Sequence, residues 1–320
     1  MRIKAGNNVA FLYPGQGSQH VGMVFDLYQT YPEAKEIFHK ADRLLGFSLS
    51  QLCFEGPGEE LNRDLNAQLA VYTVSCIVTE VLRVHDVVPD VVSGYSSGFY
   101  AAAYAAGCFD FADGLLLVKR AGEILLDEGL KIDGSMAVIF GLSPEKVDSI
   151  CQQVGNVHVA IHNTPQQIII SGIGSSVRKA MELSCNKGAL DAYNISTATA
   201  YHSIFMQQSS ARLLSEVKGD NLKDPQVPLF SYVLLESVPN KEELKKIMAA
   251  QLSGPVLWAD LIKKLHHNTI LFIEVGPGAV ISQTVKWVDR NIEIVNTDNQ
   301  SRLLQTIESY KRLIELRALP

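Results

Sequence analysis

The apolar residues of this chain change rhythm several times, and each change marks an element. Positions 9–13 are an unbroken apolar run that stops at Pro14-Gly15-Gln16-Gly17, the pattern of a buried strand entering a tight loop. Pro32 opens a helical stretch with Ala34, Ile37, Phe38, Ala41 and Leu44 on one face. Asn66 can cap a long helix rich in Ala, Val and Leu that ends near His85. After Pro89 a short strand, Val91-Val92-Ser93, runs into Gly94-Tyr95-Ser96-Ser97-Gly98. An alanine-rich helix over 99–106 follows, closed by Gly107, and a further helix is predicted over about 111–128.

From Gly134 the pattern differs. Strands are predicted at 136–140, 157–161, 167–171 and 189–195, with helices at 144–154 and 177–187 and a turn at Asn163-Thr164-Pro165. That order, βαββαβ, is the ferredoxin-like motif. The larger pattern then resumes with strands at 228–233 and 270–275 and amphipathic helices at 242–250, 258–266, 279–288 and 302–317. The fold class is therefore α/β: a parallel-sheet core over 1–132 and 199–320, carrying a small ferredoxin-like subdomain at 133–198. No internal repeat or low-complexity stretch interrupts it.

Apolar residues are 47% of the chain and charged ones 19%, enough to build a sizeable core. The net charge of −6, without any Lys/Arg-rich run, argues against nucleic acid as a partner. The apolar start is too short for a secretory leader, and no unbroken run is long enough to predict a membrane span. Cys53, Cys76, Cys108, Cys151 and Cys185 are scattered and odd in number, which reads as free thiols in a reducing cytoplasm.

Gly94–Gly98 matches G-x-S-x-G between a predicted strand and a predicted helix, the context of a nucleophile elbow. The turn is sharp enough to strain the serine backbone and leaves no room for side chains at its glycines. The N–H of Ser97 then opens a helix, where the dipole favours a developing oxyanion. Ser97 is a rival hydroxyl but flanks the motif's centre. A serine nucleophile needs a base. His20, His39 and His85 fall in helical or loop contexts, His158 and His162 in the small subdomain, and His266-His267 beside lysines. His202 follows a small-residue stretch where the chain returns to the core and is predicted to begin a helix. On its spacing alone, a structural histidine is the better reading.

These residues resemble the malonyl-CoA:acyl carrier protein transacylase family and the acyltransferase domains of polyketide synthases. The resemblance spans nearly the whole chain. It rests on FLYPGQGSQ at 11–19, the elbow, Gly107-Cys108-Phe109-Asp110-Phe111, Asn163-Thr164-Pro165, His202, Gln251…Pro255-Val256…Trp258 and Glu274-Val275-Gly276-Pro277-Gly278. It implies a hydrolase-like α/β core with the inserted subdomain, Ser96 as nucleophile and His202 as general base. The backbone carbonyl of Gln251 would orient the imidazole, and the N–H groups of Gln16 and Ser97 would form the oxyanion hole. It further implies acylation of Ser96 by acyl-CoA and transfer to the phosphopantetheine thiol of an acyl carrier protein, in fatty acid or polyketide biosynthesis. Neither metal nor redox cofactor is needed.

Three departures bear on the substrate. Tyr95 and Phe99 stand where the family elbow has His and Glu. The family's carboxylate-clamping arginine falls, counted without gaps from Ser96, on Ala121, which argues against malonyl specificity. Arg120 is adjacent, but neighbours on a helix point about 100° apart. Asn163 and Tyr201 complete the candidate substrate pocket. Some relatives that share this elbow and lack the arginine resemble hydrolases of acyl-carrier-protein thioesters, in which water attacks the acyl-serine. A non-catalytic carrier-docking protein is the third reading.

Overall fold

The computed structural model describes residues 6, 8–197 and 199–317. In chain order its strands are β1 (Asn8–Tyr13), β2 (Val91–Gly94), β3 (Gly134–Phe140), β4 (Val157–Thr164), β5 (Gln167–Ile173), β6 (Asp191–Ile195), β7 (Leu229–Phe230), β8 (Thr269–Glu274) and β9 (Ile294–Asn296). They form two sheets. One is parallel, ordered β7-β2-β1-β8-β9, and the other antiparallel, ordered β4-β5-β3-β6.

The central strand explains its own sequence. β1 is buried along its whole length between β2 and β8, and a parallel strand covered on both faces has no polar side to show. The helix Asp64–Val84 is apolar almost all round for the same reason. It is the one described helix long and apolar enough to cross a membrane, and its most apolar window is 83% buried inside the fold.

The antiparallel sheet has two apolar faces with different duties. Ala137, Ile139, Ile168 and Ile170 pack against Val147, Ile150 and Val177 of its own two helices, Pro144–Val154 and Gly174–Asn186. Met136, Val138, Ile161 and Ile169 turn the other way and join the main core. The alternation follows from the two-residue period of a strand. It roofs the carboxyl ends of β1 and β2 with an apolar surface.

Several local expectations are corrected. The long helix starts at Asp64 with Arg63 at its N-cap, so Asn66 is already inside it; its amide donates back to the carbonyl of Glu60 at 2.9 Å. Leu44 is 37% exposed at the end of its helix, outside the buried stripe of Ala34, Ile37, Phe38 and Ala41. The strand expected at 228–233 shortens to Leu229–Phe230, because Ser231 Oγ accepts the N–H groups of Val233 and Leu234 at 3.1 and 3.3 Å and turns the chain. β4 runs through Asn163 and Thr164, leaving Pro165 and Gln166 as the turn.

Candidate active site

In an open parallel sheet the crevice lies beyond the carboxyl ends of the strands. Here β1 ends in the Pro14–Gly17 loop and its neighbour β2 ends in the Ser96 turn, so the two loops face each other. The contact is intimate. A Cβ on Gly98 would lie 2.2 Å from the carbonyl oxygen of Tyr13, and one on Gly94 would lie 2.2 Å from the Gly98 backbone. Both positions therefore require glycine. Ser96 itself has φ 52°, in the left-handed region that a serine occupies only under constraint. The turn holds its hydroxyl out at the start of the helix Gly98–Ala105.

Ser96 Oγ lies 2.8 Å from His202 Nε2. His202 comes from the far side of the chain, after β6, and does not begin a helix as expected. It sits in a turn with φ 56°, ahead of the 3-10 turn Ile204–Met206. Its N–H donates to Leu252 O at 3.3 Å, and its Nδ1 faces the carbonyl of Gly254 at 3.1 Å. The expected orienting group was the Gln251 carbonyl; the hydrogen-bonding geometry belongs to Gly254. The helix Lys241–Ala250 ends just before both residues, and carbonyls past a helix end have no intrahelical donor. The Gln251 carbonyl also faces the ring and, with that of Gly254, favours its protonation. Burial acts more strongly in the opposite direction and lowers the His202 pKa to about 4. The imidazole is therefore neutral near pH 7, with Nδ1–H on a carbonyl and Nε2 free to accept from the serine.

Above the pair is a cavity of about 390 Å³. Ala121, Leu125, Met136, Ile161, Ile169, Ile195 and Leu252 give it apolar walls, and Ser96, Ser97, Gln16 and His202 also line it. None of the lining residues is a lysine or arginine. Of the predicted pocket residues, Tyr95, Ala121 and Tyr201 line it, and Phe99, Arg120 and Asn163 do not. Phe99 is buried edge-on against Tyr232. Arg120 points away and pairs with Glu216 and Glu123, so it supplies no charge to the cavity. Asn163 is buried beside Gln167, to which its amide donates.

The reading of the sequence missed a polar network at the cavity's edge. Gln16 donates to the carboxylate of Asp64, which also accepts the Tyr201 hydroxyl at 2.6 Å, and Gln68 donates to Gln16 at 3.2 Å. One carboxylate thus ties the Pro14–Gly17 loop to the residue beside His202. The Gln16 N–H is engaged by Ser97 Oγ at 3.2 Å. Gln68 and Asp64 lie one turn apart in the first turns of a largely buried helix, and a polar pair on one face there was the available signal.

The acyl transferase domain model matches residues 10–300. The chain belongs to the acyl transferase family. Among relatives of this acyl transferase, the malonyl CoA-acyl carrier protein transacylase of Bacillus subtilis is 36% identical over 310 residues, covering 95% of this chain and 98% of the relative. A polyketide biosynthesis malonyl CoA-acyl carrier protein transacylase of the same organism is 32% identical over 293 residues, covering 89% and 98%. The malonyl CoA-acyl carrier protein transacylase of Coxiella burnetii superposes with TM-score 0.90 at 28% identity, covering 96% and 99%. A malonyl-transacylase solved with its type II polyketide synthase acyl-carrier protein superposes at 0.92 with 27% identity, covering 95% and 100%.

Proposed function

We propose that this acyltransferase takes a neutral acyl group from a thioester onto Ser96 and passes it to the phosphopantetheine thiol of an acyl carrier protein. CoA and the carrier are substrates in this reading, and the setting is cytoplasmic fatty acid or polyketide biosynthesis. The observation that carries the reading is the Ser96–His202 pair at the end of a cavity without a cation.

His202 Nε2 takes the Ser96 proton as Oγ attacks the thioester carbonyl. The carbonyl oxygen becomes an oxyanion facing the N–H of Ser97, with the helix Gly98–Ala105 behind it. The Gln16 N–H joins it when the incoming oxygen replaces Ser97 Oγ, its present acceptor. Collapse of the tetrahedral adduct breaks the C–S bond, and His202 returns the proton to the leaving thiolate. The carrier's thiol then repeats the sequence in reverse, regenerating the serine. Gly254 and Gln251 hold the imidazole with carbonyl oxygens where other serine enzymes use a carboxylate.

The neutral-acyl specificity rests on Ala121. It is buried in the cavity wall, and Arg120 is committed to Glu216 and Glu123. A malonyl carboxylate entering such a site loses water with no counter-charge to replace it. The test is intact-mass detection of acyl-Ser96 across malonyl, acetyl and longer neutral donors, timed with and without carrier protein. Loading of malonyl at least as fast as neutral donors overturns the specificity. Absence of any serine adduct overturns the mechanism.

A further inference from the structure

The carboxylate of Asp64 has no role in the chemistry above, yet three segments distant in sequence meet on it. Asp64 is the first residue of the helix Asp64–Val84, where the helix dipole favours a negative charge. Its Oδ1 accepts the side-chain amide of Gln16, from the loop after β1, and its Oδ2 accepts the Tyr201 hydroxyl at 2.6 Å, from the segment after β6. Burial, and after it the Asp64 charge, raises the Tyr201 pKa, so that hydroxyl stays protonated and is the donor. The cavity lining includes Gln16, Gln68 and Tyr201 but not Asp64, so the carboxylate acts on the cavity through its partners.

Each partner adjoins a group that the reaction charges. Gln16 carries the backbone N–H that faces the oxyanion in the reaction proposed above. Its side chain is held at both ends, with Nε2 donating to Asp64 and Oε1 accepting from Gln68 at 3.2 Å. Tyr201 is 8% exposed and is peptide-bonded to His202, whose φ of 56° a non-glycine residue keeps only when its surroundings impose it. Ser203 Oγ donates to the Ala200 carbonyl at 2.6 Å and closes the turn locally, whereas the Tyr201 hydroxyl ties it to the opposite side of the cavity. A misplacement of about 1 Å at a reacting centre can cost about 10²-fold in rate, so a brace between oxyanion donor and base has a kinetic consequence.

We infer that Asp64 is a positioning residue: through Gln16 and Tyr201 it holds the oxyanion loop and the His202 turn at one fixed separation. It acts through these partners and not on a reacting atom. Its loss therefore slows acylation without weakening donor binding, and to the same degree for every acyl group. The inference rests on Ser96 acylation with His202 as base.

The test measures the saturating rate and the half-saturating donor concentration of single-turnover Ser96 acylation by acetyl-CoA, butyryl-CoA and malonyl-CoA. It compares the native chain, Asp64→Asn, Tyr201→Phe and the double variant, with thermal melting of each. Asp64→Asn keeps the shape but leaves one acceptor oxygen for two donors. Tyr201→Phe keeps the ring and removes one hydroxyl, and it carries the test if Asp64→Asn does not fold. Each single variant should lower the saturating rate by about tenfold and change half-saturation by less than about twofold, the mark of an interaction that counts in the transition state and not in binding. The double variant should fall no further than Asp64→Asn, because both substitutions break one shared tie. The loss should be the same for each donor that loads the native chain. Unchanged saturating rates in the folded variants, an effect on half-saturation alone, losses that multiply in the double variant, or a loss confined to one donor each overturns the inference. Absence of any adduct on the native chain strikes at the mechanism, and the inference falls with it; faster loading of malonyl than of acetyl and butyryl strikes only at the neutral-acyl reading.

Discussion

Lowering the pH should stop this enzyme far later than an ordinary histidine would. His202 is desolvated, and the carbonyls of Gly254 and Gln251 recover only part of that loss, so its pKa falls from 6.5 to about 4. Only the neutral ring can accept the Ser96 proton. At pH 5 about nine-tenths of the protein should still carry a neutral His202, where an unperturbed ring would be almost wholly protonated. The acylation limb should therefore bend near pH 4. The same shift acts on folding. The unfolded chain takes up the proton near 6.5 and the folded one only near 4, so stability is fully present above about pH 6.5 and is lost as pH falls toward 4. With about 1.4 kcal/mol per pKa unit, the loss from this group approaches 3 kcal/mol at the acid end. Single-turnover acylation of Ser96 across pH 3.5–8, in ~0.5-unit steps so that a limb near 4 is resolved, gives the first quantity. Denaturant unfolding of the native chain and of His202→Gln gives the second, because carboxylates common to both cancel in the difference. A kinetic limb centred between 6 and 7, or identical pH slopes for the two proteins, would refute a buried neutral base.

Ser96→Ala should eliminate the acyl adduct while leaving the fold intact, with at most a residual acceleration of about 10³–10⁴ over water; a full-stoichiometry adduct on that variant would place the nucleophile elsewhere. Ala121→Arg introduces a cation into the cavity wall and should shift the malonyl-to-acetyl ratio of kcat/KM by about 10² toward malonyl, equivalent to about 3 kcal/mol; an unchanged ratio would remove Ala121 from the specificity argument. Gly98→Ala drives a methyl group into the Tyr13 carbonyl and should abolish soluble protein or Ser96 acylation, and normal activity there would mean that the elbow relaxes freely. Glu274 accepts from Ile281 N–H at 2.9 Å and from Ser282 N–H and Oγ at 2.8 and 2.6 Å, so Glu274→Gln, which presents an amide to those donors, should cost about 2–3 kcal/mol in a denaturant melt. A change below 0.5 kcal/mol would show that the capping is replaced by other groups.

The strands and helices that pattern reading located best are those whose signal is local. Trp258–His266 and Pro144–Val154 form over the residues expected, because each has a clear amphipathic stripe, and the latter also has Pro at its first turn with Ser143 as cap. The elbow was legible for a similar reason: the two glycines are required by contacts within a few residues of one another and with the loop after β1. The α/β class followed from the alternation of elements, and the family from motifs spread along the chain.

What the sequence could not give depends on distant residues meeting. No spacing rule joins Ser96 to His202 across the small antiparallel sheet, and the carbonyl beside the imidazole belongs to Gly254 because a helix end turns there; backbone oxygens leave no mark in a sequence. Asn66 looked like a cap, but its amide found Glu60 instead. Arg120 and Ala121 are neighbours in sequence, and only the helix's orientation decides that the alanine faces the cavity and the arginine faces Glu216. Local propensity and period set the elements, whereas the charge and hydrogen-bonding character of the cavity come from which side chains the tertiary packing leaves facing inward.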